Sequence, residues 1–347
     1  MLILQQEKNM IFVTGGTGFL GAHLLLELCE RGENVRALKR PSSDVDFTKV
    51  VFSFYGKGDL FQRIEWVDGD ICDIHSLIAV MRDVDLVYHC AATVSFAKKD
   101  SEKLLENNVF GTSNIVDAAI ETGIRKLCHV SSIAVLGKAE VISDDTLWDA
   151  REKHSKYAES KYKAELEIYR GVAEGLDAVI VRPSVILGPW KQNSGTGVLF
   201  REIENGLNYY TPGITGYVDV RDVANAMIGL MERSVKNDCF IVSSENLSYQ
   251  RLFTMIAETL NKPAPGRCAG RFITGLAWRF FTLKDFFTGK DSSINKTTAA
   301  ISRTNSKYSN KKLTETLSFS YIPINETLSN SYRFNQFLSD KNHEKIS

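Results

Sequence analysis

Six short β-branched or apolar runs, each followed by a longer stretch with helical periodicity, restrict the fold of this chain more than any other feature. The runs are Ile11–Val13, Val35–Leu38, Ile64–Val67, Leu86–Cys90, Leu127–Val130 and Val179–Val181. Strands separated by helix-length segments are joined by crossovers, which makes them parallel, and a parallel sheet needs helices on both faces. The intervening segments supply them. Apolar residues recur at three- and four-residue intervals in Leu20, Leu24 and Leu28, and again in Ile115, Ala118 and Ala119. The expectation is an α/β fold with a doubly wound parallel sheet.

The pattern changes near Pro183. Loop-forming stretches at Gln192–Gly197 and Thr211–Gly216 are followed by a helix expected over Arg221–Arg233, a strand at Phe240–Ser243 and a helix at Tyr249–Leu260. For 347 residues this suggests a doubly wound domain over 10–183 and a smaller α/β lobe over 184–338, partly interleaved with the sheet. Between Phe272 and Phe287 lie six aromatic residues, readable as a core helix, a wall for an apolar substrate or an interfacial membrane contact. Residues Asn342–Ser347 are expected to fray.

Thr14-Gly15-Gly16-Thr17-Gly18-Phe19-Leu20-Gly21 joins the first strand to the first helix. Glycine at 15 permits a tight turn, at 18 a close backbone approach to a pyrophosphate, and at 21 close helix–strand packing. The helix N-terminus then offers free N–H groups to the anion, and Thr17, Phe19 and Leu20 lie within that turn. This is the signature of a Rossmann-type nicotinamide dinucleotide site. The second strand ends Val35-Arg36-Ala37-Leu38-Lys39-Arg40 with no carboxylate to accept ribose hydroxyls, so Arg40, helped by Lys39, points to NADP over NAD. Solvated charges without a role are the alternative.

Tyr157 and Lys161 are one helical turn apart on one face. A phenol with pKa near 10 is a poor base at neutral pH; lowering it by ~2 to 3 units takes roughly 3 to 4 kcal/mol, which a nearby cation supplies. A phenol so tuned exchanges a proton with a carbonyl or alcohol oxygen. The fifth strand ends His129-Val130-Ser131-Ser132, and carboxyl ends of parallel strands face the ligand crevice. Ser132 is therefore the candidate to hold a substrate oxygen, with Ser131 the alternative and His129 a strand residue. No nucleophile elbow accompanies them.

Taken together, the glycine turn, Gly69-Asp70, His89-Cys90-Ala91-Ala92, Asn108-Val109-Phe110-Gly111-Thr112, Val130-Ser131-Ser132, Tyr157 with Lys161, Arg182-Pro183-Ser184 and Val218–Ala224 resemble an extended short-chain dehydrogenase/reductase of the epimerase/dehydratase group. The similarity spans residues 10–260 and leans toward dihydroflavonol reductase-like and 3β-hydroxysteroid dehydrogenase-like members. It implies that Asp70, with Ile71, approaches the adenine, that Ala91, Ala92 and Thr93 line the dinucleotide, and that Pro183 and Ser184 flank the nicotinamide. It implies that Lys161 also binds the nicotinamide ribose and that Asn108 supports an active-site water and the local backbone. A homodimer through the helices after the fourth and fifth strands follows from the same likeness. Asp219 and Asp222 read as structural residues at the lobe junction.

Composition narrows the rest. Forty-two basic residues balance forty-two acidic ones without a basic run, which excludes the electrostatic footprint of a nucleic-acid binder. Six scattered cysteines with no C-x-x-C pair fit buried reduced thiols better than disulfides or zinc, and no metal site is expected. With no secretory leader pattern and no apolar run of about 18 residues, a cytoplasmic protein without a transmembrane segment is expected. Three functions remain: a reductase of a ketone or aldehyde small molecule, a nucleotide-sugar epimerase or dehydratase with regenerated cofactor, and a non-catalytic cofactor sensor.

Overall fold

The structure, a computed structural model, describes residues 9–190, 195–270, 273 and 296–344. Seven parallel strands form the central sheet: β1 (Met10–Thr14), β2 (Asn34–Lys39), β3 (Ile64–Asp68), β4 (Leu86–His89), β5 (Lys126–Val130), β6 (Ala178–Pro183) and β10 (Asp238–Val242). Their spatial order is β3-β2-β1-β4-β5-β6-β10. The order reverses between β1 and β4, and it is outside the carboxyl ends at such a switch point that doubly wound sheets bind ligands.

Each sheet face carries a helical layer. The helices α1 (Phe19–Glu30) and α2 (Asp46–Phe54) bury Leu24, Leu25, Leu28, Val51 and Phe52 on one face. On the other, α3 (Ile74–Met81), the short α4 (Ser101–Leu104), α5 (Gly111–Glu121) and α6 (Lys156–Ala173) follow, and Leu77, Met81, Ile115, Val116 and Ile168 are buried there. The strands fall within a residue or two of the apolar runs, because a strand covered on both faces has little room for polar residues.

Beyond Pro183 the chain returns to the sheet twice. After α7 (Thr196–Glu204), helix α8 (Val220–Glu232) packs beside α1 and buries Val223, Met227 and Leu230 in the same core, while β10 pairs with β6. A second sheet joins β7 (Val185–Leu187), β9 (Ile214–Asp219) and β11 (Glu245–Ser248), and β8 (Tyr209–Tyr210) pairs with β12 (Arg267–Cys268). With α9 (Tyr249–Leu260) and the C-terminal helix Ile324–Glu344, they enclose a small core of Leu187, Phe200, Tyr217, Leu252, Ile256, Ile324 and Leu328.

The aromatic stretch Phe272–Phe287 lies outside the described residues, as do Lys191–Ser194 and the last three residues. Among the described residues no helix is long and apolar enough to cross a membrane, and no cluster of three or more His, Cys, Asp or Glu could hold a metal. All six cysteines are free, but Cys72 and Cys268 are exposed, so the expectation of uniformly buried thiols needs correcting at those two positions. Both sit outside the helices and in or beside short connections, where a thiol has no core to enter.

Candidate active site

The glycine turn sits at the carboxyl end of β1. Gly15 has φ +73°, and a Cβ there would come within 2.7 Å of the Ala91 nitrogen. At Gly21 a Cβ would meet the Gly15 carbonyl oxygen at 2.1 Å, so the helix closes on the turn itself as tightly as backbone allows. The N-cap of α1 is Gly18, and no side chain accepts from its first N–H groups. Those donors and the helix dipole are left for an anion.

In front of that helix end lies a cleft lined by Gly15, Thr17, Gly18, Lys39, Arg40, Asp70, Ile71, Ala91, Ala92 and Thr93, all expected from the sequence. Leu38, Gly69 and Cys90, quoted within the sequence motifs without a site role, line it too, as do Ser43 and Asn107, which escaped the sequence reading. Ser43 follows Arg40 by three residues, and its N–H donates to the Arg40 carbonyl, a turn that the Pro41-Ser42-Ser43 run could have signalled. Phe19 and Leu20 do not line the cleft. The Phe19 ring packs on Trp190 and His23, and Leu20 is buried, so both can serve an anion only through their backbone.

Lys39 requires a correction. It lines the cleft, but its ammonium is ion-paired with Asp68 at the end of the neighbouring β3, so its charge is already balanced. The reading of β2 alone missed this carboxylate because the two residues come together only through the β2–β3 register, Lys39 opposite Asp68. Arg40 is exposed and lines the same cleft.

At the ends of β5 and β6 the second group assembles. Ser155 caps α6, its hydroxyl accepting from the Ala158 N–H at 3.0 Å, and this sets the phase of Tyr157 and Lys161. The side chain of Ser132 lies near the Tyr157 hydroxyl and favours its ionised form, while itself capping a turn by accepting from the Ala134 N–H at 3.2 Å. Lys161 is buried, and its ammonium donates to the Val130 carbonyl at 2.6 Å. Burial lowers the Lys161 pKa to about 8, with the Glu165 charge opposing that fall. Glu165, one turn further along α6, forms a buried two-pronged pair with Arg182 at 2.9 and 2.7 Å.

Tyr157 departs from expectation. Its pKa is raised, chiefly by burial, and the Ser132 side chain is what opposes the rise, so the lowering foreseen from Lys161 does not appear here. The physical reason is placement: the ammonium is anchored on the Val130 carbonyl, and the protein packed around the half-buried phenol removes part of the water that would stabilise a phenolate. Ser131, the alternative to Ser132, is buried with an unpartnered hydroxyl and takes no part in this contact. Phe96 stands beside Tyr157 with ring centres 5.5 Å apart, and Val94 on the same loop is exposed.

Asn108 is fully buried in an irregular helical turn, Leu105–Phe110, of the i+5 type that recurs at functional sites. Its Oδ1 accepts from Thr93 N–H at 2.7 Å, and its Nδ2 donates to the Thr93 carbonyl and to Ser160 Oγ, both at 2.9 Å. It shapes the loop that lines the cleft. Pro183 ends β6 and Ser184 follows it; neither lines the dinucleotide cleft, and Ser184 Oγ is buried without a partner. His129 is a buried strand residue whose two ring nitrogens are unpartnered and whose pKa burial holds well below the usual histidine range. Asp219 caps α8 and pairs with Arg221 at 2.8 Å, and Asp222 accepts from the Ile322 N–H at 2.9 Å; both tie the lobe junction.

Comparison with known proteins places this arrangement in a family. The family model described as the NAD dependent epimerase/dehydratase family matches residues 11–242. The protein named "Putative dihydroflavonol 4-reductase" from Synechocystis sp. is 35% identical over 266 residues, covering 74% of either chain. Cinnamoyl-CoA reductase 1 of Oryza sativa subsp. japonica is 28% identical over 276 residues, covering 76% of this chain and 79% of its own. A UDP-glucuronic acid 4-epimerase from Bacillus cereus, solved in complex with NAD, shares the fold with TM-score 0.73 at 18% identity, over 94% of this chain and 96% of that one. A strand–glycine turn–helix site, a Ser–Tyr–Lys group at the ends of β5 and α6, and a family match running through both make this chain a member of the NAD dependent epimerase/dehydratase family.

Proposed function

We propose that the protein is an NADP-dependent reductase of a largely apolar ketone or aldehyde, or an oxidant of the corresponding alcohol. The observation that carries the reading is the grouping of Ser132, Tyr157 and buried Lys161, whose ammonium donates to the Val130 carbonyl, at the sheet end that also holds the dinucleotide cleft. When bound, the cofactor supplies the hydride. Tyr157 gives its proton to the carbonyl oxygen and Ser132 holds that oxygen by its hydroxyl. A phenol whose pKa is raised is protonated at neutral pH, which suits the reducing direction. Lys161 adds positive charge close to the oxyanion, and Arg40, with Ser43, receives the 2′-phosphate at the cleft's outer end. The apolar side chains of Phe96 and Val94 near Tyr157 favour an apolar substrate, as do the reductase names of the relatives.

The test is an NADPH-oxidation screen across ketones, aldehydes, steroids and sugar nucleotides, with Tyr157→Phe as the blank. We expect turnover of an apolar carbonyl, a loss of about a hundredfold or more in the variant, and NADPH affinity nearly unchanged. Absence of NADPH and NADH binding in a fluorescence titration would sink the reading. Turnover of a sugar nucleotide without NADPH consumption would replace it with epimerisation or dehydration.

A further inference from the structure

A dry hydrogen-bonded chain runs from the dinucleotide cleft to the backbone of Tyr157. The Ala91 N–H, on the cleft wall, donates to Thr14 Oγ1 at 3.2 Å, and Thr14 Oγ1 lies 2.8 Å from His89 Nδ1. On the other side of the ring, His89 Nε2 lies 3.0 Å from Thr112 Oγ1, and Thr112 donates to the Asn108 carbonyl at 2.6 Å. Asn108 Nδ2 donates to Ser160 Oγ at 2.9 Å, and Ser160 donates to the Tyr157 carbonyl at 2.8 Å. Thr14, His89, Thr112, Asn108 and Ser160 are each no more than 1% exposed, so water does not substitute for any member.

The proton inventory allows one arrangement. Thr112 has a single hydroxyl proton and spends it on the Asn108 carbonyl, so His89 Nε2 is the donor to Thr112. Nδ1 then accepts the Thr14 hydroxyl proton while Thr14 Oγ1 accepts from Ala91. The ring is neutral: burial first, then the charge of Lys161, push its pKa down to about 3, and the one other titratable ring against it is that of neutral His129, 5.3 Å away. We propose that His89 is a positioning residue for the reaction, its single tautomer joining the Ala91 edge of the dinucleotide cleft to Asn108 and thence to the first turn of the helix that carries Tyr157. The inference rests on the proposed role of Tyr157.

The test compares Thr112→Val and Thr112→Ser with the wild type, using saturating NADPH and the carbonyl substrate found by the screen. Val keeps the shape of Thr and removes the oxygen between His89 and Asn108; Ser keeps the oxygen. We expect kcat to fall about tenfold or more in Thr112→Val with NADPH affinity within about threefold, and Ser to restore kcat to within about threefold of wild type. A folded Thr112→Val with unchanged kcat overturns the proposal, as does an equal loss in both variants, which would mark a packing effect. Should Thr112→Val fail to fold, Ser160→Ala cuts the chain at its far end and must show the same loss of kcat; unchanged kcat there overturns it as well. Nitrogen NMR of the His89 ring needs no turnover. It should report neutral imidazole protonated on Nε2 from about pH 5 to pH 8. A ring that titrates in that window, or carries its proton on Nδ1, refutes the chain even if carbonyl reduction holds, and the expected tautomer stands even if no carbonyl is reduced.

Discussion

Single residues carry opposite consequences of burial. Asp222 accepts the Ile322 N–H with its carboxylate but is 3% exposed, and burial, the largest effect, pushes its pKa up to about 7. The folded protein therefore holds a proton that the unfolded chain has released, so stability falls as pH rises from about 4 to about 7 and is level above that. Asp222→Asn keeps an acceptor for Ile322 and removes the charge. Thermal melts should show it more stable than wild type at pH 8, by about 1 to 2 kcal/mol, with the gap closing toward pH 4; a variant that is less stable at pH 8 would show that the charge is compensated. Arg40 is the reverse case, an exposed cation at the cleft that we propose meets the ribose phosphate. Arg40→Ser should weaken NADPH binding by about ten- to a hundredfold and leave NADH binding within about twofold, measured by fluorescence titration. Equal weakening of both would remove Arg40 from phosphate recognition.

Helices and turns show how local sequence translates into site geometry. Gly21→Ala would bring a methyl group to 2.1 Å from the Gly15 carbonyl oxygen, so α1 must shift away from the turn; we expect loss of measurable dinucleotide binding in a protein that still unfolds cooperatively. Retained affinity would mean that the turn tolerates the shift. The glycine turn, the expected strands and the starts of α8 and α9 were legible because their causes are local: runs buried on both faces and amphipathic segments, which the structure shows to be capped by Asp219 and Ser248. What was not legible depends on partners far along the chain. The Lys39–Asp68 pair follows from register across 29 residues, the Thr14–His89 bond joins residues 75 apart, and the edge position of β10 beside β6 has no signal within either strand. The raised pKa of Tyr157 belongs here too, since burial of a phenol is a property of everything packed around it.

At the scale of the whole molecule, the helices on one face expose large apolar side chains: Phe110 is 63%, Leu166 46% and Tyr169 40% exposed. They are the basis for proposing a homodimer through this face, and light scattering after size exclusion should give twice the chain mass, reduced to one chain mass in Leu166→Arg. A wild-type monomer at micromolar concentration would refute it. The sheet order has a different consequence, for how the chain is made. All six residues of β6, Ala178–Pro183, are buried, and their outer neighbour β10 begins only at Asp238. At about 5 to 20 residues per second, a ribosome needs several seconds to add the chain between them, during which β6 is an open, apolar sheet edge. Chains truncated in that interval would leave β6 an unpaired apolar edge, and are expected to aggregate more readily than the full chain, in which β10 covers that edge.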